Sequence, residues 1–181
     1  MKYRNEITIK NGQKCIIRNG TFEDGPEVST FFTTTHGETD YLLSYPEEST
    51  RDNEKQSNYL KETTESDREI ELLAIVDGKV VGMAGFNAIG SKYKVRHRAE
   101  FGITVSKNYW GQGIGKAIMN ACIECAKEAG YIQLELDVVA DNTRAIELYK
   151  KLGFIEFGRN PKGFQSKYSG FQELVYMRLE L

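Results

Sequence analysis

The sequence is short of the groups that usually announce a metal or redox centre. Its 181 residues include two histidines, His36 and His97, and three cysteines, Cys15, Cys122 and Cys125. Cys122 and Cys125 are spaced C-I-E-C, but no second such pair and no nearby histidine completes a metal site. Both fall on the apolar side of a helical pattern, where a free cysteine acts as a small core residue. The histidines flank no metal-like cluster and read as surface or loop residues. No metal is expected.

Other absences narrow the function. The formal net charge is -2, so there is no basic footprint and no nucleic-acid partner is expected. No apolar run is long enough to span a bilayer, and the opening MKYRNEITIKNGQK lacks the apolar block of a secretory signal. The expectation is a cytoplasmic protein without a membrane partner. There are no repeats and no low-complexity segments. The dinucleotide signature G-x-G-x-x-G and the P-loop G-x-x-x-x-G-K-[ST] do not occur. The length suits a single domain over residues 1–181, with an N-terminal tail over roughly 1–13.

The patterning that is present predicts an α/β chain. Strands are expected at Cys15–Arg18, Ile70–Val76, Lys79–Ala88, Arg98–Val105, Ile132–Val139, Phe154–Gly158 and Glu173–Leu179. Asp77-Gly78 marks a hairpin. A first helix is capped by Thr21 and carries Phe22, Val28, Phe31 and Phe32. Thr33–Thr50 reads as loop and Arg51–Glu65 as a charged surface helix. The best helix runs from Gly113 to Ala129 and is stopped by Gly130. Asp141 or Asn142 caps a fourth helix through Leu152, which Gly153 ends.

The most informative stretch is EFGITVSKNYWGQGIGK, Glu100–Lys116. An alternating strand runs into glycines at every second position (Gly111, Gly113, Gly115), and a helix starts there. A helix N-terminus presents backbone N–H groups without intrahelical partners and about half a positive charge. Glycines let a ligand approach that backbone. Together they form a seat for a phosphate or diphosphate.

The segment Trp110-Gly111-Gln112-Gly113-Ile114-Gly115 resembles the acetyl-CoA loop [Q/R]-x-x-G-x-[G/A] of the GNAT superfamily of acyl-CoA-dependent N-acyltransferases. A second signature of that family, N-x-x-A-x-x-L-Y-x-K-x-G-F, is complete as Asn142, Ala145, Leu148, Tyr149, Lys151, Gly153 and Phe154. The resemblance covers about Lys14 to Leu181 and is sharp from Glu100 to Phe154. The C-terminal run also resembles bacterial members that acetylate small amines, amino acids or protein N-termini. Trp110 departs from the pattern, because most members have Arg or Gln there. A polar contact to the phosphates is missing at that position, for which Lys116 can compensate.

The resemblance implies the GNAT fold: a mixed, mostly antiparallel sheet of about seven strands and about four helices, splayed between the fourth and fifth strands. It implies acetyl-CoA as co-substrate. The backbone of Gly111, Gln112, Gly113, Ile114, Gly115 and Lys116, with Trp110, would hold the diphosphate. Ile103, Thr104 and Val105 would pair with the pantetheine arm through β-like hydrogen bonds. Asn142 is an N-cap and, by resemblance, a cofactor contact.

Tyr149 would protonate the departing thiolate; otherwise it is a partly buried aromatic beside Ala145 and Leu148. Glu100 is the best candidate for general base, and its alternative is a strand carboxylate paired with Arg98 or Lys94. Glu71, or a backbone carbonyl acting through water, could serve instead. In the segment HGETDYLLSYPEE, Glu38, Asp40, Tyr41 and Tyr45 could bind a cationic amine or belong to a solvated loop.

The expected activity is acetyl transfer from acetyl-CoA to a primary amine of a small molecule or peptide, by direct attack in a ternary complex. The alternatives are a non-catalytic acyl-CoA-binding or sensing module and a nucleotide-binding regulatory domain. A homodimer through the C-terminal strands is compatible with the resemblance, though nothing in the composition requires it.

Overall fold

In a computed structural model, residues 1–48 and 52–181 are described. Eight strands form one sheet. They are β1 (Arg4–Thr8), β2 (Lys14–Asn19), β3 (Ile70–Val76), β4 (Lys79–Ala88), β5 (Arg98–Val105), β6 (Gln133–Val139), β7 (Ile155–Ser166) and β8 (Gly170–Glu180). Their spatial order is β1-β2-β3-β4-β5-β6-β8-β7. Every neighbouring pair is antiparallel except β5–β6. The α-helices are α1 (Gly25–His36), α2 (Asn53–Glu65), α3 (Ile114–Glu128) and α4 (Thr143–Lys151).

Side-chain alternation sorts the sheet into two faces. On one face Ile70, Leu72, Ala74, Phe86, Phe101, Leu134 and Leu136 pack against Ile114, Ile118, Met119, Cys122 and Cys125 of α3 and against Tyr149 of α4. On the other, Leu73 and Val80 pack against Val28 and Phe31 of α1 and Leu60 of α2. Each such fully buried aliphatic or aromatic side chain contributes roughly 1.5–3 kcal/mol. Asp77 and Gly78, with φ of 49° and 77°, make the tight turn between β3 and β4.

Four expectations need correction. The segment taken as an N-terminal tail supplies an eighth strand, since β1 pairs with β2 from Arg4↔Arg18 to Thr8↔Lys14. Its side chains are mostly exposed, so no apolar run announced it. The first helix continues to His36, and its polar last turn is held by Thr33, Thr34 and Thr35 hydroxyls donating to carbonyls one turn back. His36 is consequently buried, stacked on Phe32 with ring centroids 3.8 Å apart, and not a surface residue. The last hairpin is longer than its apolar pattern, because register shifts after Glu156 and Asn160 break the alternation. Ser49, Thr50 and Arg51, the end of the expected loop and the expected start of the second helix, lie outside the described residues.

The feature that positions the site is the seam between β5 and β6. Their parallel ladder holds for three pairs, Arg98↔Gln133, Ala99↔Leu134 and Glu100↔Glu135, and then ends. From Phe101 onward β5 keeps its bonds to β4 and leaves its other edge open. This is the splay that the resemblance implies, between the fourth and fifth of the strands legible in the sequence.

Candidate active site

The open edge of β5 leads to Gly111 and Gly113, whose φ values of 80° and 97° lie in the left-handed region that glycine adopts without strain. Gly113 is the N-cap of α3, with no side-chain cap and no acidic residue in the first turn. The amides of Ile114, Gly115 and Lys116 thus open the helix with no intrahelical acceptor. Gly115 serves close packing, since a Cβ there would meet Leu148 of α4 at 3.3 Å.

A cavity of about 450 Å³ runs from this helix start along the open strand edge. Ile103, Thr104 and Val105 form its strand wall, and Trp110, Gly111, Gly113, Gly115 and Lys116 its loop end. Asn142 and Tyr149 line it from α4 and its cap. Asn142 also caps α4, accepting from the Ala145 amide at 3.3 Å.

Three expected residues do not line this cavity with their side chains. The Ile114 side chain is fully buried in the core, so only its backbone faces the loop. Gln112 turns inward from the cavity lining, and its carbonyl accepts from the Lys10 amide at 3.1 Å. Glu100 is exposed and lines a second cavity, on the α1–α2 side of the sheet. It pairs with neither Arg98 nor Lys94. Arg98 instead forms a two-pronged ion pair with Glu135.

The proposed acceptor loop is largely spent on architecture. Glu38 accepts from the Lys107 amide at 2.8 Å and the Ser106 hydroxyl at 3.2 Å. Asp40 accepts from Ser166 Oγ at 2.6 Å, and also from Ser169 and Gln172, which ties the loop to the β7–β8 turn. The Tyr45 hydroxyl accepts from the Lys167 amide at 2.7 Å. Glu38 and Tyr41 nevertheless line the cavity. Glu71 is buried on β3, two strands from β5, with the Tyr59 hydroxyl donating to it at 3.3 Å, and lines neither cavity.

Trp110 explains itself. Its indole Nε1 donates to the Val105 carbonyl at 2.7 Å, joining the strand end to the loop. The Arg144 guanidinium lies over its ring, 5.4 Å from the centroid. A Cβ on Gly111 would sit 3.0 Å from that guanidinium. Arg144, Lys10 and Lys151 join Lys116 around the cavity. Sequence reading passed over Arg144 and Lys10. The signal for Arg144 was its place two residues after the Asn142 cap. Lys10 was hidden in the supposed tail.

Tyr149 is 7% exposed. Its ring packs against Phe154 at 5.9 Å, and Phe154 in turn against Phe101 at 6.4 Å, where the seam begins to open. Its hydroxyl has no hydrogen-bond partner among the described residues. Burial, and then the charge of Asp137, hold the phenol well above its ordinary pKa, so it stays protonated. The group is a buried proton donor beside an open strand edge.

Among the described residues, no three His, Cys, Asp or Glu side chains gather as a metal-binding group. No helix among them is long and apolar enough to cross a membrane.

Known proteins resemble this chain in sequence and in fold. The L-amino acid N-acetyltransferase AaaT of Escherichia coli (strain K12) is 32% identical over 108 residues, 59% of this chain and 65% of that protein. The L-amino acid N-acyltransferase MnaT of the same organism is 26% identical over 110 residues, 61% of this chain and 63% of that protein. The match thus spans a little under two thirds of either relative's length. Among solved structures, an acetyltransferase of the GNAT family from Streptococcus pneumoniae superposes with a TM-score of 0.88 at 28% identity, covering 92% of this chain and 99% of that one. The Acetyltransferase (GNAT) family matches residues 35–154, which contain the open seam, the glycine loop and the helix carrying Tyr149. By sequence and by fold, the chain belongs to the GNAT acetyltransferase family.

Proposed function

We propose that the protein is a cytoplasmic N-acetyltransferase that moves an acetyl group from acetyl-CoA to a primary amine by direct attack in a ternary complex. One observation carries the reading: a single cavity joins an uncapped helix N-terminus, an unpaired strand edge and a buried phenol with no partner. These match the three parts of an acyl-CoA. The diphosphate takes the amides of Gly111–Lys116, with Lys116 and Arg144 supplying charge. The two amides of the pantetheine arm satisfy the open edge of β5 at Ile103–Val105. The thioester then lies near the vertex of the seam, beside Tyr149.

The amine nitrogen, as the neutral base, attacks the thioester carbonyl carbon. A C–N bond forms while the carbonyl oxygen takes on negative charge, which a backbone N–H on the open strand edge can stabilise. Collapse breaks the C–S bond, and Tyr149 gives its proton to the leaving sulfur. The proton lost by the nitrogen returns to the phenolate through solvent. An alkylammonium of pKa ~10.4 costs ~4.6 kcal/mol to deprotonate at neutral pH, so a carboxylate near the nitrogen lowers the barrier. Holding both substrates in one orientation supplies much of the remaining acceleration.

The test is thiol release from acetyl-CoA across a panel of amines, with Tyr149→Phe beside the wild type and coenzyme A affinity measured separately. Turnover on an amine that collapses in the variant, with affinity retained, supports the assignment. Absence of coenzyme A binding defeats it. Binding without turnover on any amine leaves a sensing module.

A further inference from the structure

Four cations, Lys10, Lys116, Arg144 and Lys151, line the cavity at the glycine loop against one carboxylate, Glu38. Glu38 is already engaged by the Lys107 amide and the Ser106 hydroxyl. Among the described residues none of the four cations makes an ion pair. The ion pairs there belong to Lys14, Arg18, Arg98, Arg159, Lys167 and Arg178. Like charges gathered on one concave wall repel each other and focus a field that attracts an anion. The start of α3, with Lys116 and Arg144 beside it, already answers a diphosphate. Lys151 lies at the opposite end of α4 from Arg144. Lys10 is the cation left over at the loop.

Lys10 stands on a rigid mount. It belongs to the β1–β2 turn, residues 9–13, outside the residues 35–154 that the family matches. Ile9 is buried in the core, and its amide donates to the Gln13 carbonyl at 3.0 Å. The Gln13 side chain donates to Asp77 of the β3–β4 turn at 2.7 Å. On the other side, the Lys10 amide donates to the Gln112 carbonyl, inside the glycine loop, at 3.1 Å. The backbone is thus held from both sides while the Lys10 side chain stays exposed. The turn lies at the Val105 end of the sheet, since Cys15 is opposite Val76 and Gly82 is opposite Val105. The vertex of the seam, after Glu100, is at the other end of the open edge. A pantetheine arm runs from the glycine loop toward that vertex. Whatever is esterified to the far side of the diphosphate leaves at the loop end, where Lys10 stands. In coenzyme A that group is an adenosine whose ribose carries a phosphate monoester.

We propose that Lys10 receives the ribose phosphate monoester of coenzyme A, so that the N-terminal hairpin tells coenzyme A from its dephospho form. A phosphate monoester carries about −1.5 to −2 charge near pH 7. An ammonium on a flexible stem is a compact charge with rotatable donors, which suits a group that swings with the nucleoside. The open edge of β5 and the start of α3 then hold the parts common to both forms, and Lys10 holds the one part that differs. This gives β1, the strand with mostly exposed side chains, a task in binding: it carries the turn to the glycine loop.

The inference rests on the transferase reading, so its test needs no turnover. Calorimetry at low ionic strength compares coenzyme A with dephospho-coenzyme A as the two probes. The wild type is expected to bind coenzyme A about fivefold more tightly, as an exposed ion pair allows. Lys10→Gln should bring coenzyme A down to the dephospho value and leave dephospho-coenzyme A unchanged. That unchanged value also shows that the fold and the glycine loop are intact. Lys10→Arg should keep the preference, and Lys10→Glu should reverse it. Arg144→Gln should weaken both probes by the same factor, because it acts on the diphosphate they share. Raising the ionic strength should shrink the wild-type preference. Equal affinity of the wild type for both probes, a preference that survives Lys10→Gln, or a Lys10→Gln variant that weakens both alike would overturn the proposal and leave the transferase reading standing. Failure of either probe to bind at all would overturn both.

Discussion

The indole nitrogen of Trp110 donates a 2.7 Å hydrogen bond to the carbonyl of Val105, so the residue that departs from the family pattern braces the strand end against the glycine loop. The charge that an Arg would bring to this position is present nearby in Arg144, whose guanidinium lies over the same ring from α4. Trp110→Phe keeps the ring and loses the bond. It should cost roughly 1 kcal/mol, about fivefold in coenzyme A affinity. Arg144→Gln should weaken binding about tenfold or more and make it less sensitive to salt, because a charge-assisted contact is gone. Calorimetry at low and high ionic strength separates the two roles.

Tyr149 gives a prediction with a definite sign. Its pKa is raised by burial first and by Asp137 second, so deprotonation of the acid is displaced upward. The rate should climb with pH as more amine becomes neutral, and no falling limb from this group should appear below pH ~10. Tyr149→Phe should lose roughly 10²–10⁴-fold in kcat with coenzyme A affinity nearly intact. A falling limb near neutrality that vanishes in the variant would show that the phenol is not held protonated.

How far the sequence reaches can be judged from these same residues. Glycine spacing, the Asn142 cap and the turn at Asp77-Gly78 are local chemistry, and the structure repeats them almost residue for residue. Strands β3 and β4 were legible because burial on both faces writes dense apolar runs, and β5 because its apolar residues alternate toward one buried face. Strand β1 was not, since an exposed edge strand needs no apolar residues. Register shifts hid the second half of β7. At the site, the misreadings were of pairing rather than position. No local pattern could say that Arg98 would choose Glu135 on the next strand over Glu100 on its own, or that Asp40 would turn to Ser166.

The cysteines should be nearly silent toward thiol reagents. All three are buried on the core side. Burial raises Cys122 well above the ordinary thiol value and Cys125 to about 11. The reactive species is the thiolate, so at neutral pH a native sample should show no fast reaction with a disulfide reagent and three equivalents after denaturation. Fast modification of the native protein would mean that α3 opens readily from the sheet.

Acid stability should depend on the pair that anchors the start of α1. Arg18 reaches both carboxylate oxygens of Asp24, at 2.7 and 2.8 Å, and Asp24 also accepts from the Thr21 amide at 2.8 Å. Burial alone would raise the Asp24 pKa. The bonds from Arg18 and Thr21 outweigh it and leave the carboxyl below its usual range. A folded-state pKa lower than the unfolded one means that the unfolded chain binds the proton more readily. The stabilisation is therefore present above the unfolded value of ~3.9 and is lost as pH falls through the folded one. Asp24→Asn should lower the urea midpoint at neutral pH, by roughly 1–3 kcal/mol in stability, because it strands the half-buried Arg18 as well as removing a charged acceptor. The gap between variant and wild type should then narrow below pH ~4, where the native carboxyl takes up its own proton. A constant gap across that range would show that packing of the side chain, and not its charge, holds the helix start in place.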